Sequence, residues 1–191
     1  MRLEKVGETA GTQLRNQGIL AVLYALLFVL AYIALRFDFR YSPGAILALF
    51  HDVSITIGVF VLTQQEFNLP IIAALLAIVG YSLNDTIVVY DRIRENIDAG
   101  RGGDLIDTIN LSVRDCLSRT LLTSVTTFIA VLAIFLYGGG IIKNFAFAMM
   151  IGVVVGTYSS IFIASPVVLA MDRYLEERKQ REAEIERALQ N

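Results

Sequence analysis

Five long apolar stretches separated by short polar ones set the pattern of this chain. They run over 17–35, 43–62, 69–90, 120–137 and 145–171. Each is long enough to cross ~30 Å of hydrocarbon as a helix rising ~1.5 Å per residue. In lipid every backbone polar group must be satisfied internally, and runs this long fit a helix rather than a barrel strand of about ten residues. Residues 18–35 carry no charge at all, and Ser42-Pro43 predicts an N-cap followed by the first residue of a second helix. The connections 36–42 and 63–68 are tight, and Gly138-Gly139-Gly140 breaks the chain before the last span. The stretch 92–118 is polar and contains Gly100-Arg101-Gly102-Gly103, which predicts a surface helix plus a turn. Residues 172–191 hold six acids and five bases with few large apolar residues, a pattern that predicts a solvated charged tail helix supported by i,i+4 pairs. The predicted fold is all-α: a polar segment 1–16, a five-span membrane bundle over 17–171, and a charged tail.

Composition agrees. Of 191 residues 55% are hydrophobic, there is no Trp, and the mean hydropathy is +0.62, too apolar for a soluble domain of this size. A net charge of -2 provides no basic surface for nucleic acid. Cys116 is the sole cysteine and His51 the sole histidine, which rules out an intramolecular disulfide and any multi-histidine metal site. No nucleophile–base pair, phosphate loop or metal-spaced cluster stands out, so enzymatic chemistry and a bound cofactor are not expected.

Charge also sets a predicted orientation. Twelve bases fall on one side: Arg36, Arg40, Arg92, Arg94, Arg101, Arg114, Arg119, Arg173, Arg178, Lys179, Arg181 and Arg187. The other side has four, Arg2, Lys5, Arg15 and Lys143. The richer side is expected to be cytoplasmic, which leaves the C-terminus inside and the N-terminus outside. With no signal peptide visible at the start, that arrangement implies a further span, and an external domain, upstream of Met1.

Against this apolar background the polar residues within spans become candidates. Asp85 lies about 9 Å inside the helix end marked by Asp91. A charge at that depth costs several kcal/mol unless it is neutralised, paired or hydrated, and a proton is its cheapest partner. Asn84 precedes it, and Ala73, Ala77, Gly80 and Asn84 recur at +4, +3, +4 as one narrow face suited to close helix approach. On the fourth span Arg119, Thr123 and Thr126/Thr127 form a polar stripe that can hold a water chain. His51 and Asp52 sit ~15 Å into the second span, about 100° apart on the helix; each reads either as a proton-path group or as a structural group bonded to a neighbouring helix. On the fifth span Gly152, Gly156, Ser160 and Ala164 make a close-packing ridge.

These motifs resemble the SecF family of bacterial protein-export membrane subunits. The residues that carry the resemblance are His51-Asp52-Val53, Leu69-Pro70-Ile71-Ile72-Ala73-Ala74, the run from Gly80 to Asn96, Leu117-Ser118-Arg119-Thr120-Leu121-Leu122-Thr123-Ser124, and Ile151-Gly152 with Gly156-Thr157-Tyr158-Ser159-Ser160-Ile161. The resemblance implies the fold of the resistance–nodulation–division superfamily, with this chain supplying spans two to six of six. It implies a multi-pass protein of the bacterial inner membrane that pairs with SecD, assembles with the SecYEG channel near YajC and YidC, and acts on a translocating preprotein. It further implies that protons are the coupling ion, with Asp85 and Arg119 in the conduction path. Two other readings are a small-molecule or lipid exporter of the same superfamily and a non-conducting membrane scaffold.

Overall fold

The computed structural model describes residues 8–36, 38–65 and 68–190. The first seven residues of the expected polar segment 1–16, with Arg2 and Lys5, lie outside them. The remainder of that segment is helical and opens α1, Glu8–Arg36. It is followed by α2, Ser42–Leu62, α3, Leu69–Asp98, α4, Leu105–Tyr137, and α5, Gly140–Ser159. A π-helical turn, Ser160–Ala164, then leads without interruption into α6, Ser165–Gln190. Five helices are long and apolar enough to cross a membrane, the last formed by α5, the π turn and α6 together.

Helix ends follow local chemistry. Pro70 and Pro43 occupy the first turns of α3 and α2, where a missing N–H costs nothing. Ser42 is the first helical residue of α2 rather than its cap; Tyr41 takes the cap position without a side-chain bond. The Asp104 carboxylate caps α4 by accepting from the Ile106 amide at 2.6 Å. Gly140, at φ +51, turns the chain from α4 into α5.

The polar stretch 92–118 is not a separate surface helix. Its first part completes α3 and its last part opens α4, joined by the glycine turn at 99–104. Helix propagation adds a hydrogen bond for each residue fixed, so α3 continues beyond its apolar stretch until Gly100, at φ +63, stops it. A helix of thirty residues is ~45 Å long and must protrude from ~30 Å of hydrocarbon. The protruding ends are tied by ion pairs: Arg92 with Asp115 across α3 and α4, Arg36 with Asp91 at 2.9 Å, and Arg40 with Asp172 at 2.7 Å.

α3 is the axis of the bundle, packed against α1, α2, α4, α5 and the π turn. Its apolar contacts form two clusters. One gathers Ala45, Leu49, Leu83, Tyr90, Ile93 and Val168 toward the charged end. The other gathers Phe60, Ile71, Ala74, Ile78 and Ala148 toward the opposite end. α1 is peripheral and leaves Leu20, Leu23, Leu27 and Phe28 exposed. That is the expected surface of a helix facing lipid.

The glycine ridge of α5 lies on α3. A Cβ at Gly152 would collide with the Ile78 side chain, and one at Gly156 would come within 3.1 Å of Ser82 Cβ. Ser160 is fully buried in the π turn. Gly80 behaves differently: nothing lies within 4 Å of the position its Cβ would take. Ala73, Ala77 and Asn84 are likewise exposed, so the small-residue face of α3 is uncovered in this chain.

Candidate functional site

Between the two apolar clusters sits a polar knot built on Asp52 of α2. The residue is 1% exposed. Its Oδ2 accepts from Ser82 Oγ of α3 at 2.5 Å and from Ser159 Oγ of α5 at 2.7 Å. His51 Nδ1 lies 3.0 Å from Oδ1, so the adjacent pair does meet despite its angular offset. Thr56 Oγ1 donates to the Asp52 carbonyl one turn further on, at 2.8 Å. A buried acid with its oxygens occupied from three helices is a rivet, and each bond strengthens in the low dielectric of the core.

The π turn begins one residue after Ser159. At its last residue the Ala164 carbonyl accepts from Tyr90 Oη of α3 at 3.2 Å. Gly44 is what lets α2 pass: a Cβ there would collide with both Tyr90 Oη and the Ala164 carbonyl oxygen.

Asp85, on α3, has a different setting. It is 4% exposed, and its Oδ2 has no hydrogen-bond partner among the described residues. One other buried hydroxyl oxygen on the neighbouring helix is in the same condition, Thr120 Oγ1. Cys116 Sγ contacts the Val88 carbonyl. One turn on from that contact in each antiparallel helix stand Asp85 and the pair Arg119-Thr120, so they are level with one another. Arg119 is exposed and lines a cleft of about 390 Å³ with Asp91, Arg92, Glu95 and Asp115. Among the described residues it forms no ion pair with Asp85; it is a cation whose field reaches that carboxylate from the side.

A further turn along, Tyr81 Oη donates to Ser124 Oγ at 3.3 Å, and Ser124 Oγ shares a 2.7 Å bond with Thr157 Oγ1 of α5. Asp85, Thr120, Tyr81, Ser124 and Thr157 therefore form a polar ladder along the α3–α4–α5 seam. Thr123 and Thr126 stay off it. They are exposed and bond back to their own helix, Thr123 Oγ1 to the Arg119 and Thr120 carbonyls and Thr126 Oγ1 to those of Leu122 and Thr123. Asn84 is also exposed, beside Gly80 on the uncovered face. Sequence reasoning found Asp85 and Asp52 but not the serines that separate their roles. Ser82 did lie in the motif around Asp85, though its target is on another helix.

The fold and these two acids define a class: a multi-pass helical membrane protein with ionisable groups held between spans. The chain belongs to the family described as protein export membrane protein SecD/SecF, C-terminal, whose model matches residues 1–174. It is 49% identical over 180 residues to a protein translocase subunit SecF of Desulfurispirillum indicum, covering 92% of this chain and 57% of that protein. It is 53% identical over 171 residues to the one from Magnetococcus marinus, covering 90% and 55%. The chain thus spans about half the length of the curated relatives it matches. A crystal structure of SecDF from Thermus thermophilus, described as a translocon-associated membrane protein, superposes with a TM-score of 0.83 at 46% identity, covering 87% of this chain and 23% of that one. SecDF in a super-membrane-facing form superposes with a TM-score of 0.79 at 44% identity, covering 93% and 23%.

Proposed function

We propose that this chain is the membrane half of a SecF-type subunit. It works with a SecD-type partner in the bacterial inner membrane to draw preproteins out of the SecYEG channel at the expense of the proton-motive force. YajC and YidC are further candidates for neighbours, and the C-terminal tail lies in the cytoplasm. The observation that carries the reading is the contrast in hydrogen bonding: Asp85 is buried within its span with an oxygen that has no partner among the described residues, while Asp52 has both its oxygens occupied.

The chemistry follows from that contrast. Protonated, the Asp85 carboxyl is neutral and suits a dry α3–α4 seam. Deprotonated, it requires Arg119, the Thr120 hydroxyl or water, and the seam must rearrange to supply them. The uncovered face of Ala73, Ala77, Gly80 and Asn84 borders Asp85 on the same helix and is the seat for the partner's helix. Movement at the seam is then transmitted to the partner. A proton crossing the full potential delivers ~2.3 kcal/mol per 100 mV.

The test is Asp85→Asn in the full-length protein with its partner, reconstituted in vesicles that contain the translocation channel. Asn keeps the shape and removes titration. Assembly is expected to survive, while proton flux and gradient-stimulated preprotein release are lost. Full stimulation in the variant overturns the reading.

A further inference from the structure

A second feature lies on the opposite side of α4 from the small-residue face of α3. α4, α5, the π turn and α6 enclose a groove of about 600 Å³, a size typical of ligand sites. Its floor is aliphatic and aromatic, with Val113, Leu117 and Leu121 on α4 facing Val154, Ile161 and Leu169. One side is open: Leu121, Val154, Tyr158 and Phe162 are each about half exposed or more. From Val154 to Leu169 the groove runs ~20 Å along the helices. That matches one leaflet of a ~30 Å hydrocarbon core together with the start of its headgroup layer.

Two of these helices, α6 and α4, each carry a cation beside the groove. On α6, Pro166, Leu169 and Arg173 follow at +3 and +4, so Arg173 extends the same stripe one turn beyond the apolar floor. On α4, Asn110, Arg114, Leu117 and Leu121 follow at +4, +3, +4, which puts Arg114 at the lateral edge of the stripe, with Ile106, Ile109 and Val113 lining the groove further toward the charged end. Among the described residues Arg114 and Arg173 form no ion pair, whereas Arg36, Arg40, Arg92 and Arg178 at the same end each hold a carboxylate. Arginine stems lie along apolar surface and carry the guanidinium to the interface. There the planar fork binds a phosphate in bidentate fashion.

We propose that this groove is a binding site for one anionic glycerophospholipid, its acyl chain lying along Leu117, Leu121 and Val154 and its phosphate between Arg114 and Arg173. The groove borders the Asp85 seam at Thr157, but neither arginine belongs to that seam, so the lipid site stands or falls independently of proton coupling.

The experiment uses the full-length protein with its partner in vesicles of phosphatidylethanolamine and phosphatidylglycerol. One or the other lipid carries a photoactivatable diazirine on its acyl chain, and labelled peptides are mapped by mass spectrometry. The phosphatidylglycerol probe is expected to concentrate on the peptides carrying Leu117 and Val154, well above those carrying Leu23 and Leu27 on the exposed ridge of α1. Arg114→Gln and Arg173→Gln alter exposed side chains and leave the fold intact. Each should lower the anionic probe's preference about fivefold, equivalent to ~1 kcal/mol per cation near an anionic surface. Leu117→Trp should exclude both probes from the groove and leave labelling of α1 unchanged. Equal labelling of groove and α1 overturns the proposal, as does equal labelling of the groove by the two probes. A photoreactive residue at Leu117 that captures a polypeptide instead of lipid also overturns it and makes the groove a protein interface.

Discussion

Asp52 and Asp85 are both carboxylates buried between spans of one bundle, one on α2 and the other on α3, and the structure treats them in opposite ways. Asp52 accepts two serine hydroxyls from two other helices and has His51 against its second oxygen. Asp85 has an oxygen with no partner among the described residues. Burial alone does not distinguish them, since both are almost wholly covered. What differs is whether neighbouring helices have already spent their donors on the acid. A saturated acid holds helices in place; an unsaturated one is an incomplete interaction, able to change partners when its proton comes or goes. A fixed joint and a movable one within the same bundle is what the proposed proton coupling requires.

The largest expected effect breaks this comparison at its stability end. Asp52→Ala removes the shared acceptor of Ser82 and Ser159; the Ser159 hydroxyl keeps the Gly156 carbonyl at 3.1 Å, while the Ser82 hydroxyl is left buried without its partner. It should cost about 3 kcal/mol or more, the range for breaking a buried polar network. Asp85→Leu removes an unsatisfied group and should be neutral or stabilising, within about 1 kcal/mol. Thermal unfolding of both variants in detergent, with the partner present, checks the pair. Equal destabilisation would erase the distinction between rivet and moving part.

The glycines permit the same contrast between a closed face and an open one. Gly152→Ala drives a methyl into Ile78 in a fully packed contact and should destabilise the bundle by about 1–3 kcal/mol. Gly80→Leu meets empty space within this chain, so the bundle's own stability should hold within about 0.5 kcal/mol. Its expected defect is in assembly: co-purification with the partner should fall, because the closest approach on α3 is blocked. Normal assembly of Gly80→Leu would mean that this face meets lipid, and would remove the route by which Asp85 reaches a partner.

How far this contrast could be read in advance depends on the range of the interactions. The spans were visible because hydropathy is a local property summed over about twenty residues, and Asp85 stood out because it interrupts such a run. The Gly152-Gly156-Ser160 ridge was visible because spacing on one helix is local too. The donors to Asp52 were not, because Ser82 and Ser159 lie 30 and 107 residues away in the chain, and no single-helix pattern says which hydroxyl turns toward which acid. The same limit explains the threonines. Thr123 and Thr126 share helical spacing with Arg119, yet the hydroxyls that turn into the seam are Thr120 and Ser124, about 100° round the helix. The polar stretch 92–118 differs from its expected surface helix for another reason: charge pattern reports exposure to water, and a helix that leaves the membrane need not end there.

The smallest expected effects sharpen the comparison on the α4 side of the seam. Arg119→Lys keeps the charge and loses the planar, bidentate fork. If Arg119 acts on Asp85 through its field, gradient-driven release should fall only in part; if it serves as a bonded partner when the proton leaves, the loss should approach that of Asp85→Asn. Thr120→Val and Thr123→Val then separate the two hydroxyl faces of the same helix. Thr123 already bonds its own backbone on the exposed side, so Thr123→Val should leave stability within about 0.5 kcal/mol and proton flux unchanged. Thr120 is buried with its oxygen unsatisfied. Thr120→Val should therefore be neutral or slightly stabilising, yet should slow proton flux, because it removes a hydroxyl level with Asp85. A variant that gains stability while losing flux marks a group kept for the deprotonated state rather than for the resting fold. If Thr123→Val slows flux and Thr120→Val does not, the path follows the exposed stripe of α4 and the seam is only a packing surface.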